Sequence, residues 1–147
     1  MSGQVRWFMS LIILVLLTVG CSNQEQSQTG EMPEMIKVEL MVPEKVSLHK
    51  PVSLEVKLTQ GGKPLIHADQ VQFQIWNKLD EPPAVSPELG MMTAEKLEEQ
   101  GALKASEADE GIYEVKYTFE DPGTYVVQAH VTHGAMHSMP RATVEAK

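Results

Sequence analysis

Val52, Leu54, Val56 and Leu58 alternate with Ser53, Glu55 and Lys57, and this period of two constrains the chain more than any other feature. Successive side chains change sides only in an extended strand, so such a segment turns one apolar face to a core and one polar face away from it. Ile36, Val38, Leu40 and Val42 repeat the pattern against Lys37, Glu39 and Met41. Val71, Phe73 and Ile75 repeat it against Gln72, Gln74 and Trp76. Ile112 to Phe119 is rich in β-branched and aromatic residues, and Thr124 to Thr132 is the longest strand candidate. Gln60 to Pro64, Asp109 to Gly111 and Asp121 to Gly123 supply turns. The segment from Asn77 to Gly90 carries Pro82, Pro83 and Pro87 and reads as a crossing loop, because proline cannot donate to a central ladder. Ala94 to Gln100, closed by Gly101, is long enough for one or two helical turns.

Short strands spaced by turns, with no long amphipathic helix, define an all-β chain. The expected architecture is an antiparallel immunoglobulin-like or cupredoxin-like β-sandwich of about seven strands. Asp121-Pro122-Gly123-Thr124-Tyr125 looks like the tyrosine corner of such folds, with the Tyr125 ring buried and its hydroxyl bonded to backbone upstream. Val127 falls where an antibody domain has its disulfide cysteine, so this is the disulfide-free version.

Three segments are expected: a signal over residues 1–20, a tether over 21–34 and one domain over 35–147. Arg6 gives the first segment a positive start, and Trp7 to Val19 is mostly apolar, as in a secretory signal. Its core, Leu11 to Leu17, is too short to span a bilayer, which needs ~20 apolar residues. The ending Leu17-Thr18-Val19-Gly20-Cys21 resembles the lipobox of bacterial lipoproteins, with Thr18 where leucine is usual. Cys21 is the only cysteine and has no internal disulfide partner, so lipidation accounts for it better than a free thiol. Ser22 to Pro33 has almost nothing apolar to bury and reads as a tether. The expected location is the outer face of the cell membrane, held by lipid.

The chain carries 20 acidic and 12 basic residues, a net charge of −8. Removal of the signal takes Arg6 and no acidic residue, leaving 11 basic against 20 acidic and a net −9. That balance excludes nucleic acid as a partner and favours cations.

Chemistry concentrates between His130 and Pro140, which hold three of the five histidines and two of the nine methionines. A tight hairpin with Gly134 and Ala135 at its tip pairs His133 with Met136, Thr132 with His137 and His130 with Met139. In that register Val127, Ala129, Val131, Ala142, Val144 and Ala146 face the core. Gln128, His130, His137 and Met139 share the other face. Imidazole with thioether suits a soft ion, Cu(I) first, with Cu(II) or zinc where a carboxylate or water completes the shell. His130, His137, Met139 and Met136 are the candidate ligands. His133, Met91, Met92 and Trp76 are additional candidates for ligands or for the binding face. Affinity is expected to fall as pH drops through the ordinary histidine range near ~6.5. His49 and His67 read as solvent-facing loop residues.

Phe73-Gln74-Ile75-Trp76, Gly111-Ile112-Tyr113, Gly123-Thr124-Tyr125, His130-Val131-Thr132 and Met136-His137-Ser138-Met139-Pro140 together resemble the YtkA-like lipoprotein domain of Gram-positive bacteria, over roughly residues 36–146. That family is similar in turn to FixH-type proteins associated with cation pumping and cytochrome oxidase maturation. The resemblance implies an extracytoplasmic immunoglobulin-like domain without an established activity, and His133 falls outside its pattern.

Enzymatic signatures are missing: no nucleophile is paired with a base, and no Gly-rich phosphate loop precedes a helix. The chain is expected not to be an enzyme. Two readings stay open. One is a copper-handling lipoprotein serving an envelope metalloprotein or oxidase assembly factor. The other is a metal-free adaptor that holds an envelope protein through the sheet bearing Trp76, Gln128 and His130.

Overall fold

The computed structural model describes residues 34–80 and 93–147. The signal, Cys21, nearly all of the tether, and Met91 and Met92 lie outside the described residues. Within them the chain forms β1 (Ile36–Met41), β2 (Lys45–Val46), β3 (Pro51–Gln60), β4 (Lys63–Pro64) and β5 (Gln70–Asn77). After helix α1 (Ala94–Glu99) come β6 (Leu103–Lys104), β7 (Ser106–Asp109), β8 (Ile112–Thr118), β9 (Gly123–His133), β10 (Met136–Ser138) and β11 (Arg141–Ala146).

Two sheets result, as expected for a sandwich. The first runs β1-β3-β8-β7 with β4 on the end of β3; the second runs β2-β11-β9-β5-β6 with β10 on β9. Every pairing is antiparallel except β2 with β11. Proline has no N–H to give a ladder. Pro43 therefore ends β1, and the chain crosses to the other sheet as β2. Against the expected seven or so strands, six of the described strands have six residues or more, and the other five are pieces of two to four residues.

The alternation of β3 buries Leu54, Val56 and Leu58 against Val71 and Phe73 of β5 and Val127, Ala129 and Val131 of β9. Val144 and Ala146 of β11 join them, as expected, while Arg141, Thr143 and Glu145 stay exposed. Each fully buried side chain of this size contributes about 1.5–3 kcal/mol. Gly61 and Gly62 take positive φ angles of 58° and 74°, which lets a two-residue turn join β3 to β4 with the twist a hairpin needs. The Tyr125 hydroxyl donates to the Asp121 carbonyl at 3.0 Å, the bond of a tyrosine corner. Its ring is only half-buried, edge-on to Phe119 at 4.9 Å. A second tyrosine does more within the core. The Tyr113 hydroxyl donates to the Leu65 carbonyl at 3.2 Å and accepts the Ala68 N–H at 2.9 Å, fixing the loop that leads into β5.

Candidate functional site

Because β9 sends Val127, Ala129 and Val131 inward, Gln128, His130 and Thr132 fall on the outer face of the second sheet. Cross-strand pairing sets Gln72 of β5 opposite His130 and Gln74 opposite Gln128. On the other side, Thr132 pairs with His137 and Gln128 with Arg141. The expected hairpin register is the observed one, with Met136 paired to His133. A single register runs through β10 and β11, bridged by the Ala129 N–H bonded to the Pro140 carbonyl at 3.1 Å. Met139 therefore lies opposite His130.

This face is outward in the sheet but closed to solvent at its centre. Gln72, Gln74, Gln128 and His130 are all buried, His130 with 2% of its surface exposed. Helix α1 contributes to the cover: the Gln72 amide nitrogen donates to the Ala94 carbonyl at 3.1 Å and to the Glu98 carboxylate at 3.0 Å. Leu97 anchors the helix, fully buried. The expectation that Gln128 and His130 form a solvent-facing recognition surface is thus corrected. A signal was present in the sequence: the outer face of β3 carries Glu55 and Lys57, whereas the outward positions of β5 and β9 carry four glutamines, Gln70, Gln72, Gln74 and Gln128, and no acidic or basic side chain beyond His130. Uncharged amides tolerate burial when hydrogen-bonded; carboxylates and ammonium groups do not.

A chain of polar contacts runs along the face. Arg141 Nε donates to Gln128 Oε1 at 2.6 Å. Arginine only donates, so this contact fixes the Gln128 amide with its nitrogen toward His130 Nε2, 3.3 Å away. Gln74 Oε1 lies at 2.7 Å from the same Nε2. The shorter contact selects the tautomer with its proton on Nε2, donating to Gln74; the Gln128 nitrogen at 3.3 Å is then a neighbour and not a hydrogen-bond partner, and the lone pair lies on Nδ1. Gln74 Nε2 is buried without a partner among the described residues. His137 is held through Nδ1 at 2.9 Å from Thr132 Oγ1, which leaves its Nε2 free. The two rings stand with centroids 6.2 Å apart.

Burial, reinforced by the nearby His137 and Arg141, pushes the His130 pKa down to about 4. Burial also lowers that of His137. Both rings are neutral at physiological pH, and a proton competes for the His130 lone pair only well below the ordinary histidine range. Among the described residues no three His, Cys, Asp or Glu side chains converge. Met139, opposite His130 and 43% exposed, is the thioether that shares the face of the two rings.

The other expected site residues that are described, Met136, His133 and Trp76, do not join the two rings. Met136 is one step out of phase with His137, so alternation turns it to the opposite face with His133, away from His130. His133 Nδ1 lies 3.7 Å from Asp69, whose carboxylate accepts the Gly134 N–H at 2.7 Å and pins the hairpin tip. Trp76 is on the expected face but half-buried, with the Arg141 guanidinium 5.7 Å from its ring centroid. His49 and His67 are exposed beside Glu120 and Glu107, as solvent-facing loop residues. Arg141, Asp69 and Glu98 were not anticipated as partners of the site, since nothing in their sequence context marks the contacts they make.

Two sheets packed face to face define a β-sandwich domain. The YtkA-like family model matches residues 31–130, and the chain belongs to that family. The match stops at His130, short of the expected span, so His137, Met139 and Arg141 lie beyond it. No curated protein matches the sequence. Among solved structures, an endo-beta-1,4-mannanase from Thermotoga petrophila aligns with TM-score 0.50 and 9% identity over 81% of this chain. This chain spans only 21% of that protein, and the likeness is one of fold. The Lin-41 filamin domain aligns with TM-score 0.46 and 12% identity over 78% of this chain and 97% of that one. A superoxide reductase (neelaredoxin) from Ignicoccus hospitalis, in a single-substitution form, gives TM-score 0.43 and 12% identity over 80% of this chain and 85% of that one.

Proposed function

We propose that this chain is a lipid-anchored, non-catalytic module of the cell envelope that carries copper on the face formed by His130, His137 and Met139. The reading rests on the 6.2 Å separation of the two imidazoles. Two imidazoles on one ion, at metal–nitrogen distances of ~2.0 Å, hold their ring centres ~5–6.5 Å apart. His130 binds through Nδ1, because Nε2 is committed to Gln74. His137 binds through Nε2, because Nδ1 is committed to Thr132. These outer contacts orient the two rings and fix which nitrogen of each is left to bind. Met139, opposite His130, adds a soft sulfur, which favours Cu(I) over zinc. The net charge of −8 raises the local concentration of any cation. The ion is cargo, passed to an envelope metalloprotein or oxidase assembly factor while Cys21 holds the protein at the membrane.

The test is competition against a Cu(I) chelator with the full-length chain in detergent micelles. His130→Ala and His137→Ala should each weaken binding at least tenfold, and Met139→Ala should weaken Cu(I) far more than zinc. Equal affinity of the wild type and the double histidine variant would sink the copper reading. The anchor is tested apart from it: Cys21→Ala should move the protein out of the membrane fraction, and unchanged retention contradicts lipidation.

A further inference from the structure

The open groove beside the buried layer has a cavity volume of ≈ 370 Å³ and is lined in part by Trp76, Lys78, Asp80, Val126 and Arg141. The geometry points to a docking site for an extended acidic segment of a partner protein, one carboxylate held between Arg141 and Lys78 above Trp76. Nothing in this inference depends on copper.

Arg141 is already organised for the task. Its Nε is spent on Gln128 Oε1 at 2.6 Å, and its guanidinium lies over the Trp76 ring at 5.7 Å. Held at two points, the group presents its terminal nitrogens as a fixed fork, the shape that grips a carboxylate with two parallel bonds. Gln128 is itself buried, so the support is rigid. Among the described residues neither Arg141 nor Lys78 belongs to an ion pair. Two cations with no ion-pair partner among the described residues, beside one groove, stand out in a chain of net charge −8. Most of such a surface repels an acidic ligand, and this patch attracts it, which supplies register as well as encounter rate. Asp80 on the lining repels a second carboxylate at that end, so the groove selects one acidic side chain and disfavours a polyanion.

Backbone geometry makes the ligand a strand. One edge of β11 pairs with β9 along its whole length. On the other edge β2 covers only Glu145 and Ala146. From Arg141 to Val144 that edge has no strand partner among the described residues. An extended peptide laid along it gains main-chain hydrogen bonds while its side chains reach the groove on alternate positions. Tryptophan and arginine are also the residue types that most often dominate binding energy at interfaces.

The experiment follows the Trp76 indole resonance, assigned with Trp76→Phe, in the full-length chain in detergent micelles. Its probe is a short capped peptide of valine and threonine with a single central glutamate. The inference expects a saturable shift that weakens with salt, falls at least about tenfold in affinity for Arg141→Gln, and falls several-fold for Lys78→Gln. Arg141→Lys should also bind weakly, since it keeps the charge and loses the fork. Free acetate at matched carboxylate concentration should leave the resonance in place. A shift of equal size from a lysine-for-glutamate peptide or from acetate overturns the inference, and so does undiminished binding by Arg141→Gln. Should Arg141→Gln disturb the folded spectrum, Lys78→Gln decides the matter, because the Lys78 side chain is exposed and makes no hydrogen bond or ion pair among the described residues.

Discussion

A single histidine shows how far a side chain's surroundings depart from its position on a strand. Alternation places His130 on the outer face, but only the three-dimensional cover makes it buried and neutral. Its unfolded pKa is near ~6.5, and its folded pKa is pushed down to about 4. Between those values the unfolded chain binds more protons, so stability present above pH ~6.5 is lost as pH falls toward 4, by about 3 kcal/mol from this group. Urea midpoints at pH 7 and pH 4.5 should therefore converge more closely for His130→Gln than for the wild type. An identical acid loss in both proteins would show that this ring is not its source. The two tyrosines invite a comparison of the same kind. Tyr125→Phe removes one bond from a half-buried corner and should cost about 1 kcal/mol. Tyr113→Phe leaves both the Leu65 carbonyl and the Ala68 N–H without their partner near the core, and should cost about 2–3 kcal/mol. Thermal unfolding that ranks them in the opposite order contradicts this assignment. Only Tyr125 was legible as a fold determinant, since its turn advertises it, whereas the partners of Tyr113 lie more than forty residues away.

Among the elements, the hairpin of β9, β10 and β11 was readable in full because one register satisfies every apolar position on both arms. Sliding it by one residue would turn Val144 and Ala146 outward and Arg141 inward, a loss no local contact could offset. The cover on its outer face was not readable. α1 has only six residues, and what decides its place is a pair of bonds from Gln72 across 22 and 26 positions. Asp69 belongs to the same class of long-range contact, since it pins Gly134 from 65 positions away. Asp69→Ala should leave the sandwich folded, cost about 1 kcal/mol, and speed amide exchange at Gly134 without speeding it in the middle of β9. Uniform acceleration along the strand would mean that Asp69 supports the whole sheet and not the tip.

At the scale of the molecule, the two sheets make one cooperative body whose stability reports on anything that binds the native face. A ligand that prefers the folded state raises its stability by RT ln(1 + [L]/Kd), about 2.7 kcal/mol at a hundredfold excess over Kd. If copper occupies the His130, His137 and Met139 face, Cu(I) under reducing conditions should raise Tm by several degrees, since a domain of this size gains roughly 3–6 °C per kcal/mol. The gain should survive in Tyr125→Phe, which lowers the starting Tm but touches no ligand. It should vanish in the His130→Ala, His137→Ala double variant, whatever that variant's own stability. The acidic surface supplies an internal control. General attraction of cations to a chain of net charge −8 is screened by salt and indifferent to those two histidines, whereas coordination depends on them. A Tm rise that disappears in salt and persists in the double variant would assign the effect to the acidic surface, and with it remove the site from the hairpin.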